Sequence, residues 1–216
     1  MSELVENKPC LKNPCFLCRP PVDLVYASSE HAVALCGLGP LSDGYSLVAS
    51  REHISSVADL APLCPGFLRF AESVRSFLSG EFGNCVVTEH GRVPVCVDVS
   101  GTSDAHCYHA HLLFFPGVPD VTTAAAPYFA NNRRYSSLEE AVTAARETQE
   151  YFLVSGSPEQ ASVLTRPGRL IRQFARVLVA DAIGKPELTN WRTNPQRQRA
   201  VSDAEMLRGK WSIGHD

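Results

Sequence analysis

The chain has 216 residues, of which 44% are hydrophobic and 20% charged, with a formal net charge of −3. That length suits one domain, or one domain with an elaborated end, and the composition excludes wholesale disorder. The slightly acidic balance is no footprint for duplex nucleic acid, and no run approaches the ~18 consecutive apolar residues of a membrane span.

The N-terminal MSELVENKPC has no basic patch followed by an apolar run, so no secretory signal is expected and a cytoplasmic location is the default. Cys15-Phe-Leu-Cys18 follows Asn13-Pro14. This spacing lets two thiolates reach one ion, and metal binding and redox chemistry are its two readings in the cytosol. Residues 23–28 and 31–36 read as short strands, 39–44 as a loop and 45–50 as a third strand. Ser55 or Ser56 caps a short helix. From Gly66, Phe67, Phe70, Ala71, Val74, Phe77 and Leu78 keep the helical period until Gly80 or Gly83. Residues 85–88 and 93–99 are predicted strands flanking Glu89-His90-Gly91-Arg92. Residues 106–115 form another, stopped by Pro116-Gly117.

Beyond Pro119, residues 121–135 read as a linker, and Ser137-Leu-Glu-Glu140 is a capping box opening a helix. Short strands are expected at 151–154 and 161–164. Residues 168–183 are apolar almost all round, which predicts a buried helix closed by Gly184-Lys185-Pro186. The remainder reads as one more surface helix. Strands cluster early around a long helix, and helices dominate late. That order predicts an α+β fold with an antiparallel sheet of about five strands and a helical C-terminal extension. The division expected is 1–118 for the main domain, with its N-terminal Cys segment, and 119–216 for the extension packed on it. Charge follows the same division roughly: residues 156–216 carry ten basic and six acidic groups.

Four of the seven histidines fall between 90 and 111, three of them in His106-Cys-Tyr-His109-Ala-His111. On a strand, residues two apart share a face, so Cys107, His109, His111 and Leu113 line one face and His106 the other. A hydrogen-bonded histidine pair at a sheet surface is the plain reading; a catalytic pair is the functional one. Of the eight cysteines, Cys36, Cys64, Cys85, Cys96 and Cys107 lie in or beside apolar runs and read as small hydrophobes.

His109-Ala-His111-Leu-Leu113-Phe-Phe-Pro116 resembles the signature of the histidine-triad (HIT) superfamily of nucleotidyl hydrolases and transferases. Three further blocks agree in order. Gly44-Tyr45-Ser-Leu-Val-Ala-Ser-Arg51-Glu-His53 is similar to the family's Gly-His-x-Leu-Val-x-Pro-Lys-x-His strand. Val87-Thr-Glu89-His90-Gly91 is similar to a block before the triad, and Cys15-x-x-Cys18 stands where zinc-containing members carry theirs. The likeness covers about residues 14–116, and Arg169, Arg172, Asn190 and Arg192 resemble tails of longer members.

The resemblance implies a nucleotide substrate and a covalent nucleotidyl-histidine intermediate, with His111 as nucleophile. Attack by a neutral imidazole on an α-phosphorus divides one displacement into two easier ones. The implied zinc ligands are Cys15, Cys18, His53 and His109, with His106 or Cys107 as alternatives to His109 and Cys10 a spectator. The family's third histidine falls on Leu113, which donates no hydrogen bond. Tyr45 stands where many members have a histidine that orients the first one of the triad, and its hydroxyl is a candidate substitute. His106 is a candidate for leaving-group protonation. Glu89, Ser103 and Arg172 are candidate substrate contacts; Glu89 reads equally as a turn residue, and a solvated helix face is the plainer reading of Arg169, Arg172 and Arg192. Many members are dimers, which makes a homodimer an expectation. A catalytically weakened nucleotide-binding or partner-binding module is the alternative to the enzyme.

Overall fold

The structure is a computed structural model that describes residues 15–92, 109–167, 170–171 and 173–215. Eight strands form one antiparallel sheet: β1 (Val25–Ser28), β2 (Ala32–Cys36), β3 (Ser46–Ser50), β4 (Cys85–Glu89), β5 (His111–Pro116), β6 (Phe129–Tyr135), β7 (Tyr151–Ser157) and β8 (Gln160–Pro167). Their order across the sheet is β1-β2-β3-β5-β4-β7-β8-β6. The helices are α1 (Val57–Leu60), α2 (Pro65–Phe82), α3 (Thr122–Ala125), α4 (Leu138–Ala145), α5 (Phe174–Ala182) and α6 (Arg197–His215), with short 3₁₀ turns at Ala126–Tyr128 and Pro186–Leu188. No helix among the described residues is long and apolar enough to cross a membrane.

The central strands read as unbroken apolar runs because both faces of the sheet are covered. Leu112 and Phe114 of β5, Val87 of β4, Leu153 of β7 and Val163 of β8 face α2, α4 and α6. The alternate residues Leu113, Phe115, Val86, Phe152, Val154 and Leu164 face α3 and α5. The long helix α2 forms as its sequence requires. Pro65 occupies the first turn, Phe67, Ala71, Val74 and Leu78 make the buried stripe, and Gly83 ends the helix at φ 88°. α4 is capped as expected, with the Ser137 side chain accepting from Glu140 N–H.

Two expectations need correction. The sheet has eight strands, not about five, and three of them come from the C-terminal extension. β7 pairs with β4 and β8 with β7, so the extension continues the sheet as well as adding helices. Residues 121–135, expected to be a linker, form α3, a 3₁₀ turn and β6. β6 has no apolar alternation, since Ala130 through Arg134 are all exposed; its pairing with β8 makes it a strand. The opposite edge, β1, is covered by α6, whose Arg208 Nη2 donates to Val25 O at 2.6 Å.

Candidate functional site

The stretch after β3 and the stretch before β5 are laced together. Ser50 N–H donates to Ala110 O at 3.0 Å, and Ala110 N–H donates to Ile54 O at 2.6 Å. This lacing sets the His53 and His109 rings edge to face, with centroids 5.0 Å apart. The turn of the C-x-x-C segment, closed by Cys18 N–H donating to Cys15 O at 3.1 Å, brings two thiols to the same place. One donor atom from each of Cys15, Cys18, His53 and His109 lies within 4.8 Å of all the others.

Cys15 Sγ stands 3.4 Å from His109 Nδ1, and Cys18 Sγ stands 3.1 Å from His53 Nδ1 and 3.6 Å from His109 Nδ1. The two Nδ1 atoms are 3.2 Å apart. Sulfur and nitrogen donors around one ion, with bonds of ~2.0–2.3 Å at tetrahedral angles, stand ~3.3–3.8 Å from each other. The spacing of the four atoms therefore fits a single four-coordinate cation. His109 Nε2–H donates to Ser50 O at 2.8 Å, which turns the Nδ1 lone pair toward the cluster. Metal-binding imidazoles are commonly held by such a second bond. Burial pushes the Cys15 thiol up, but hydrogen bonds with His109 and with the backbone N–H groups of Cys18 and Leu17 outweigh it and bring the thiol down to about 6.

β5 begins two residues beyond His109. His111 lies across from Ala49, is half-buried, and donates Nδ1–H to His109 O at 2.7 Å. That bond selects the neutral tautomer with its lone pair on Nε2. His109 thus serves twice: its ring faces Cys15, Cys18 and His53, and its carbonyl orients His111.

Two residues on, Leu113 packs among Tyr45, Val86 and Phe115 on the α5 face of the sheet. Its cross-strand neighbour Thr88 is fully buried, and among the described residues the Thr88 hydroxyl has no hydrogen-bond partner. Sequence reading passed over Thr88, although period-2 alternation from Val86 puts it on this face. His90 of the same strand's continuation accepts the Ala175 N–H at 3.2 Å through Nε2 and meets Phe152 edge-on at 5.2 Å. The C-terminal extension therefore docks on the face that carries Leu113.

Glu89 is not on that face. Strand alternation turns it to the α2 side, where one carboxylate oxygen accepts Val57 N–H at 2.7 Å and the other accepts the Tyr151 hydroxyl at 2.7 Å. There Glu89, the candidate substrate contact, ties α1 to the sheet. Burial pushes its carboxyl up to about 7 despite both bonds. Tyr45, the candidate orienter of His109, lies in the apolar cluster on the α5 face. Its ring stacks on Phe115 at 5.0 Å under the Arg176 guanidinium, and it precedes Ala49, the partner of His111, by four residues, about 13 Å along the strand.

Arg176 escaped sequence reading altogether. Buried in α5, it donates to Thr189 O at 2.8 Å, Leu188 O at 2.9 Å and Gly39 O at 2.6 Å, stitching the extension to the loop before β3. The Arg192 guanidinium lies over the Trp191 ring at 5.4 Å. Ser103, His106, Arg169 and Arg172, together with Cys10, Cys96, Cys107 and the expected strand at 93–99, lie outside the described residues.

No protein-family model matches the sequence, and no curated protein matches it. Among solved structures, the chain is similar over 44% of its length to the C. elegans NitFhit protein, at 18% identity and a TM-score of 0.35. The matched region spans 22% of the NitFhit chain. It is also similar over 43% of its length to a Hit-like protein involved in cell-cycle regulation from Bartonella henselae, at 15% identity and a TM-score of 0.29, covering 68% of that chain.

Proposed function

We propose that the chain is a zinc-containing HIT-like enzyme that acts at the α-phosphate of an activated nucleotide through a covalent intermediate on His111. The observation that carries the reading is the double engagement of His109, whose ring faces Cys15, Cys18 and His53 while its carbonyl fixes the His111 tautomer. Two thiols and two imidazoles form a donor set suited to zinc. When bound there, the ion supplies a structural tie between the N-terminal segment and the start of β5, and occupies the lone pair of His109.

In the proposed chemistry, the Nε2 lone pair of His111 attacks the α-phosphorus. A phosphorus–nitrogen bond forms as the bond to the leaving oxygen breaks, and the leaving group departs with that electron pair. The backbone bond from Nδ1–H to His109 O supports the positive charge that develops on the imidazole. Water, phosphate or another acceptor then displaces His111 and takes the nucleotide. Dinucleoside polyphosphates, nucleoside phosphoramidates and nucleotide sugars are the candidate donors. Incubation with a panel of these, with and without inorganic phosphate, followed by mass detection, tests the reading and names leaving group and acceptor together. Conversion by the wild type that disappears in His111→Ala supports it; equal conversion by both proteins contradicts it.

Leu113 and Tyr45 favour a second reading, a nucleotide-binding or partner-binding module on the same scaffold. Both stand where the family has histidine, and both are packed in an apolar cluster. Binding of a nucleotide without turnover of any donor separates this reading from the enzyme.

A further inference from the structure

At the far edge of the sheet from the metal cluster, on the face covered by α4, strands β6 and β8 and the end of α4 enclose a groove of about 470 Å³. Arg133 of β6 and Arg166 of β8 line it, with Asn131, Thr148 and Thr165 between them. The strand register sets Asn131 across from Thr165, and the Asn131 amide donates to the Thr165 hydroxyl at 3.3 Å.

Arg166 is the unusual member. Alternation along β8 would aim it at the face opposite to Thr165, yet it lines the same groove. Its backbone is left-handed, with φ 55°. An L residue adopts that conformation at a cost, and such positions gather where a side chain is held for a purpose. The result is that two arginines from neighbouring strands line one concavity.

Among the described residues, neither guanidinium has a hydrogen-bond or ion-pair partner. Elsewhere on the surface, Arg197 pairs with Asp23, Arg199 with Asp43 and Lys210 with Glu81. Among the described residues, Glu147 is the one acidic residue lining the groove, and it forms no ion pair with either arginine. Two cations lining one groove repel one another, and an anion bound there relieves the repulsion; planar forks of N–H donors match phosphate oxygens in particular. The volume suits a small molecule rather than a polymer.

We propose that this groove binds the phosphate group of a small phosphorylated molecule, clamped by Arg133 and Arg166. It is separate from His111, because three strands (β4, β7 and β8) lie between β5 and β6, about 19 Å across the sheet, and the groove opens on the α4 face. The proposal therefore stands without the catalytic reading.

The test is calorimetric titration of the full-length protein with inorganic phosphate, pyrophosphate and AMP at low ionic strength. It is run on a His111→Ala background, and again with Arg133→Ser and Arg166→Ser added. Both serines replace exposed side chains, and circular dichroism with thermal unfolding checks that the fold is kept. The double substitution is expected to weaken binding by about tenfold or more, and Glu147→Gln to strengthen it. Equal affinity for inorganic phosphate and AMP identifies the free anion as the ligand; tighter binding of pyrophosphate or AMP identifies a phosphorylated compound. Absence of binding by all three ligands, or affinities unchanged by the double substitution, overturns the proposal.

Discussion

Replacing Glu89 with Gln should change how stability depends on pH. Glu89 is 4% exposed and its carboxyl is raised from an ordinary 4.5 to about 7, chiefly by burial. The folded state thus holds its proton more tightly than the unfolded chain does. Stability is unaffected below about pH 4.5, falls as pH rises from there to about 7, and is flat above. The full difference corresponds to about 3 kcal/mol. Gln keeps the shape, its carbonyl still accepts Val57 N–H, and its amide faces the Tyr151 oxygen. Any bound metal would respond to pH alike in both proteins, so the difference between their unfolding free energies is the informative quantity. Urea unfolding at intervals from pH 5 to pH 8 should show that difference growing in favour of Glu89→Gln by about 2–3 kcal/mol. A difference that stays constant across the range refutes the reasoning, and so would loss of nucleotide binding in the variant.

The protein purified with zinc present should hold close to one equivalent, measured by elemental analysis, and Cys15→Ser or Cys18→Ser should lose it together with much of the thermal stability. His109→Ala should lower metal content and melting temperature, whereas His111→Ala should leave both nearly intact; the reverse pattern would mean that the ligand and nucleophile assignments are exchanged. Arg176→Met removes three hydrogen bonds, a buried one to Gly39 and part-buried ones to Leu188 and Thr189, and should destabilise the fold by about 3 kcal/mol in chemical unfolding. A loss below about 1 kcal/mol would show that this staple is unimportant.

The ligand-capable residues could be read from the sequence because they sit in short, chemically distinctive blocks. Cys15-x-x-Cys18, His53 and His109 are far apart in the chain, yet a resemblance aligned them and the lacing of Ser50, Ile54 and Ala110 brings them together. The α2 stripe and the Ser137 cap follow from local periodicity and local hydrogen bonding, which a sequence records directly. β6 does not, since Asn131, Asn132, Arg133 and Arg134 have no apolar alternation and become a strand through the β8 ladder alone. The buried contacts of Glu89 were not legible for a related reason. One step of strand alternation decides its face, and the partners at Val57 and Tyr151 are distant in sequence. Arg176 went unread in a helix that is apolar almost all round, because carbonyl acceptors leave no mark on the sequence.

The most direct test of the account is the covalent state of His111 during turnover. The protein is mixed with an activated adenylate or uridylate, quenched rapidly without acid, and its intact mass measured. The account predicts a gain of one nucleoside monophosphate, labile to acid and stable to base as a phosphoramidate is, and absent from His111→Ala. With Leu113 unable to donate a hydrogen bond, the second displacement is expected to be slow enough for the adduct to accumulate. An adduct that persists in His111→Ala, or neither adduct nor turnover across the whole panel of donors, contradicts the claim that His111 is the nucleophile.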